Sequence, residues 1–235
     1  MIKNLVTPRA KAQIATMLAL QNSFNSVVFP DWASRKLGWH RAIYVEAGEY
    51  LEHLGTWKWW KKGTPDFPQA NMELVDIWHF ALSWYIDNTA VNGQPVPLQR
   101  IAPYIYNEAQ CAAIAAAEIA LDSPDVVEAR HRAVDALVRE AGAGEFNILA
   151  FVKLLAYSGM DFEVLYQRYV GKNALNRFRQ TNGYKQGTYV KEWAGEEDNK
   201  HLDDILLMLP ADEALMDNVL AQLEDRYSRL VRNAA

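Results

Sequence analysis

Apolar residues return every three or four positions along most of the chain, as Ile14, Met17 and Leu18 do near its start, and sustained period-two alternation is hard to find. This pattern predicts helices over 8–29, 40–55, 70–90, 104–121, 124–140, 145–156, 160–180 and 210–232. Pro30, Pro65, Pro68, Pro95, Pro97, Pro103 and Pro210 fall between these segments or at their starts, where proline breaks no helical hydrogen bond. Ser123-Pro124-Asp125 reads as an N-cap followed by proline in the first turn. The Ala-rich run 112–120 has high helix propensity and small side chains, which predicts close packing by a neighbouring helix. The stretch 180–199 departs from the pattern: Gly183, Gly187 and Gly195 punctuate a polar, aromatic-rich run that reads as a functional loop. The expected fold is all-α, a single-domain multi-helix bundle over 1–235.

Composition adds limits. A chain of 235 residues, half of them hydrophobic, is near the upper end of what one core holds, and nothing in it resembles a repeat or a linker. The formal net charge of -5 argues against a protein that grips a nucleic-acid polymer by bulk electrostatics, so an anionic ligand would need local cations or a metal. Cys111 is the lone cysteine and makes no internal disulfide; among alanines it is expected as a small buried hydrophobe. Lys3, Arg9 and Lys11 interrupt the first residues and Lys153 interrupts the greasiest later segment, so the expectation is a cytoplasmic protein with no signal peptide and no membrane span.

Glu46-Ala47-Gly48-Glu49 and Glu73-Leu74-Val75-Asp76 carry the most chemistry. Residues three apart share a helix face, so each motif presents two carboxylates side by side. Either pair alone is as expected of a solvated face. Here, however, Glu46 and Glu49 sit among Ile43, Tyr44, Val45, Tyr50 and Leu51, and Glu73 and Asp76 among Met72, Leu74, Val75, Ile77, Trp78 and Phe80, so both helices are expected to be substantially buried. Four carboxylates in a poorly solvated site repel one another unless cations neutralise them. Magnesium, which prefers oxygen ligands and bridges substrate phosphates, suits that donor set better than zinc or copper.

Glu-x-x-Glu followed by Glu-x-x-Asp resembles the metal motif of the all-α nucleotide pyrophosphohydrolases. The run from Lys172-Asn173-Ala174-Leu175-Asn176 through Gly183-Tyr184-Lys185-Gln186-Gly187-Thr188-Tyr189 to Glu197-Asp198-Asn199 is similar to the phosphate-binding segments of dimeric dUTPases. The resemblance spans roughly residues 17 to 202 and implies Mg2+ at Glu46, Glu49, Glu73 and Asp76, with more than one ion engaged and Mn2+ able to substitute. It also implies water attack at the α-phosphate of dUTP, and of dUDP, with Glu49 as general base.

Other positions fit that expectation to different degrees. Lys172, Asn176, Arg179, Tyr184, Lys185 and Tyr189 supply cations and oriented donors for phosphate, and the first three fall near one helical face; a solvated basic helix end is the simpler alternative. Asn199 joins them by resemblance. Gln21 and Asn25, four apart on an apolar helix, are amides that need partners, which a uracil edge would supply. For Trp57, Trp59 and Trp60 the core is the expected place, although the resemblance favours Trp59 as the ring against the base. His79 shares a face with Asp76 and is not expected to be a base; the resemblance gives it the deoxyribose hydroxyl. His40, His53, His131 and His201 show no comparable context, and Ser83 near His79 and Asp87 makes no nucleophile triad.

The Ala-rich helix, abundant apolar residues and the resemblance together point to a homodimer with helix-on-helix contact; if the segment 183–199 closes on the pocket, Glu197-Asp198-Asn199 would reach a neighbouring subunit's site. A related dCTP or other non-standard nucleotide pyrophosphohydrolase is the alternative within the fold. A non-catalytic nucleotide-binding protein is the alternative outside enzymes.

Overall fold

In the computed structural model, residues 4–89, 96–117 and 125–232 are described. The helices are α1 (Ala10–Val28), α2 (Trp39–Leu54), α3 (Phe67–Asn88), α4 (Leu98–Ala116), α5 (Val126–Gly142), α6 (Ile148–Tyr157), α7 (Phe162–Thr181), α8 (Asp198–Met208) and α9 (Leu215–Tyr227). The fold is all-α, as the periodicity predicts; β structure among the described residues is the hairpin of β1 (Glu192–Trp193) and β2 (Glu196–Glu197). No described helix is long and apolar enough to cross a membrane. Local chemistry sets the helix starts. The Asp66 carboxylate accepts the amide of Gln69 at 3.2 Å ahead of α3, whose first turn holds Pro68, and Asn147 and Asp161 accept amides of Ala150 and Val164, each at 2.9 Å.

Several expectations need correction. Pro103 lies inside α4, which begins six residues before the predicted 104. α8 falls where no helix was expected, because a short helix directly after a hairpin leaves little periodic pattern to read. Cys111 is exposed, on the outer face of α4. Ser123 and Pro124, and the predicted helical residues 118–121, lie outside the described residues.

Contacts divide the chain into two compact units, Met1–Tyr166 and Gln167–Ala235. In the first, α2 and α3 pack along each other, α1 on α3 and α4, and α6 on α4 and α5. α3 is its centre: Trp78 stacks on Phe151 with ring centroids 5.1 Å apart and meets Phe162 edge-on at 5.8 Å. α2 is less covered than its sequence suggests, for it buries the stripe Ile43, Ala47, Tyr50 and Leu54 while Tyr44 and Val45 are exposed. Glu46 borders that stripe and Glu49 lies further round the helix, which is why the first is half-buried and the second exposed.

The second unit is built around aromatic residues. Phe178 meets Trp193 and Tyr227 edge-on, and Tyr189 stacks on Tyr227 at 5.4 Å. The hairpin turns on Ala194 and Gly195, both at positive φ (51° and 87°), the requirement of a tight two-residue turn. At Gly183 (φ 91°) an added Cβ would lie 2.1 Å from the Thr188 hydroxyl, so the turn after α7 closes only on glycine.

Candidate active site

Within the first unit, α2 and α3 bring the two acidic motifs together. One carboxylate oxygen each from Glu46, Glu49 and Glu73 lie within 4.8 Å of one another, and Glu73 is buried. The Glu46 carboxyl is pushed up to about 8, first by burial, then by the negative charges of Asp76, Glu73 and Glu49, and by a hydrogen bond shared with Glu73. Asp76 is thus electrostatically part of the cluster. The donor set fits a divalent cation: hard oxygens, excess negative charge and one carboxyl held neutral until a cation arrives.

Two corrections follow around this cluster. His53, which the sequence left without context, places Nε2 at 3.2 Å from Oε1 of Glu73; its partner lies twenty residues further along, beyond any local spacing rule. The three tryptophans after α2 are exposed and not in the core, Trp59 by 90%. They contact one another edge-on, Trp57 with Trp60 at 5.2 Å and Trp59 with Trp60 at 5.5 Å. An exposed indole face is a stacking surface rather than packing.

The amides have partners in the protein. Gln21 donates from Nε2 to Asn25 Oδ1 at 2.9 Å and to Ser83 Oγ at 3.0 Å, and Asn25 donates from Nδ2 to the same Oγ at 3.0 Å. Ser83 in turn donates to the His79 carbonyl at 3.1 Å. One buried hydroxyl therefore fixes the orientation of both amides. Sequence reading weighed Ser83 only as a triad member and missed this orienting role, although its i+4 relation to His79 on α3 was a usable signal. His79 Nδ1 lies 2.9 Å from the Val75 carbonyl, which can only accept, so Nδ1 carries a hydrogen and the ring's orientation is fixed. Glu73, Asp76, His79 and Ser83 thus descend α3, with acids at one end and oriented amides about 15 Å further on at 1.5 Å per residue.

The second unit joins most of the predicted cationic set. Lys172 donates to Asn199 Oδ1 at 3.1 Å, and Arg179 donates to Asn176 Oδ1 at 3.2 Å and Asn199 Oδ1 at 3.4 Å. Arg179 also grips Asp198 with two bonds, at 2.8 and 2.7 Å, and Tyr189 donates its hydroxyl to Asp198 at 2.8 Å. Burial and the Asp198 charge raise the Tyr189 phenol far above its ordinary range, so that hydroxyl stays a donor. Lys172, Arg179 and Asp198 are buried, not a solvated helix end. Tyr184 and Lys185 are exposed on the following turn, with the Arg179 guanidinium 6.0 Å from the Tyr184 ring. Asp198 is the counter-ion of this network, a role that sequence reading did not give it.

A family model described as dUTPase matches residues 13–184, a stretch that holds all four acids, the amides, His79 and the cationic positions up to Tyr184. A search of curated proteins finds no match.

Proposed function

The chain belongs to the dimeric all-α dUTPase family and carries its dUTP diphosphatase activity, and from that premise we propose that it releases dUMP from dUTP, and from dUDP, by water attack at the α-phosphate with Mg2+ held by Glu46, Glu49, Glu73 and Asp76. The observation that supports this reading best is the meeting of Glu46, Glu49 and Glu73 oxygens within 4.8 Å. When bound, the metal supplies positive charge that polarises the phosphate and offsets the charge of the pyrophosphate leaving group.

The chain's own residues do the rest. Glu49, the more exposed acid, takes the proton of the attacking water as its oxygen bonds to the α-phosphorus and the bond to the leaving phosphate breaks. Gln21 and Asn25, oriented by Ser83, read the uracil edge, where an amide hydrogen bond gained or lost separates bases strongly. His79 Nε2 accepts from the deoxyribose hydroxyl, and Trp59 offers its face to the base. In the second unit, Lys172, Asn176, Arg179, Tyr184, Lys185, Tyr189 and Asn199 are the groups assigned to the phosphate chain.

A homodimer belongs to the same proposal. α4 leaves Tyr104, Cys111 and Ala115 outward beside exposed Leu149 of α6, a face suited to a second copy. Pyrophosphate release from a panel of deoxynucleotides, with and without Mg2+, tests the chemistry and separates dUTP from dCTP. Light scattering over a dilution series tests the dimer.

A further inference from the structure

His53 occupies the last turn of α2 and is tied to α3 twice. Its backbone carbonyl accepts the amide of Asp66, the N-cap of α3, at 2.9 Å. Its ring nitrogen Nε2 stands 3.2 Å from Oε1 of Glu73. The backbone bond holds His53 beside the start of α3, where its ring meets the buried carboxylate of Glu73, a residue about two turns further along that helix. Glu73 has three side-chain torsions and faces the negative charges of neighbouring acids, which favour swinging it away from the cluster.

We infer that His53 is a positioning residue: its Nε2–H holds the Glu73 carboxylate among the acids, so that Glu73 presents an oxygen beside those of Glu46 and Glu49. This role rests on the metal site proposed above. A neutral imidazole suffices, since a ring N–H donates to a carboxylate without a charge of its own. Removing a partner that orients a metal's ligand typically lowers metal affinity by about 10–100-fold. A merely structural histidine at a helix C-terminus would instead affect stability without regard to Glu73.

Mn2+ titration of the full chain without nucleotide, followed by electron paramagnetic resonance, tests the role without relying on turnover. His53→Ala is expected to weaken Mn2+ binding by about 10–100-fold, and His53→Gln, which keeps an N–H donor at similar reach, to restore most of it. Added to Glu73→Gln, His53→Ala should cost no further affinity, because the group it acts through is already changed. Wild-type affinity in His53→Ala, while Glu46→Gln and Glu73→Gln have lost theirs, overturns the inference. So does a His53→Ala loss of equal size in the Glu73→Gln background, or a His53→Gln no better than His53→Ala. Unchanged affinity in both acid variants overturns the metal site itself and this role with it.

Discussion

Binding of Mg2+ to the acidic cluster should expel a proton, and the pH at which it stops doing so is set by Glu46. In the metal-free protein the Glu46 carboxyl titrates at about 8, against 4.5 for an unperturbed glutamate. Burial and the neighbouring acids thus keep a proton on the acidic cluster at neutral pH, and it is given up as pH rises through about 8. A cation binds the ionised form, so the ion that displaces this proton should release more of it at pH 7 than at pH 9, with apparent affinity rising with pH below about 8 and levelling above. Titration calorimetry in pairs of buffers with different ionisation enthalpies reads the proton count directly. The sign for stability follows. With its folded value raised, Glu46 favours the metal-free fold below about 4.5, and this contribution is lost as pH rises through about 8. Glu46→Gln should therefore raise the metal-free unfolding midpoint at pH 8.5 while removing both the proton release and most of the Mg2+ affinity. Proton release that is zero, or constant from pH 6 to 9, would refute the reasoning.

Glu49→Gln should lower kcat for dUTP by at least about a hundredfold, the lower range for a proton-transfer group, while circular dichroism stays that of the parent; near-normal turnover removes Glu49 from the chemistry. Trp59→Ala should raise KM for dUTP more than Trp57→Ala does, and equal small changes would leave neither ring at the base. Ser83→Ala deprives two buried amides of one acceptor and should cost about 1–3 kcal/mol in urea unfolding, with a higher KM for dUTP; an unchanged KM would detach the amides from substrate. Asp198→Ala leaves the Arg179 charge buried without its counter-ion and should destabilise the protein by about 3–5 kcal/mol, while Arg179→Met with Asp198→Leu should recover part of that loss. A single Asp198 variant as stable as the parent would show that the pair contributes little.

Helical periodicity and spacing alone determined that the chain is all-α, placed every described helix but α8 within about five residues save for the early start of α4, and marked Glu46, Glu49, Glu73 and Asp76, because those signals are local: a face repeats every three or four residues whatever lies across from it. The resemblance carried the function, and the family match upholds its dUTP diphosphatase activity. What depends on the partner across a gap was not legible. Whether Trp59 is core or surface turns on what packs over it, and nothing in Trp57-Lys58-Trp59-Trp60 says so. Cys111 and Ala112 are neighbours in one Ala-rich run, yet a 100° step on α4 leaves the first exposed and the second buried. His53 acquired a role only when the chain between α2 and α3 folded back and brought Glu73 to its ring, and Ser83 only when α1 laid two amides against it. Tertiary structure decided these because a hydrogen bond needs about 3 Å of approach, and sequence separation does not measure distance in space.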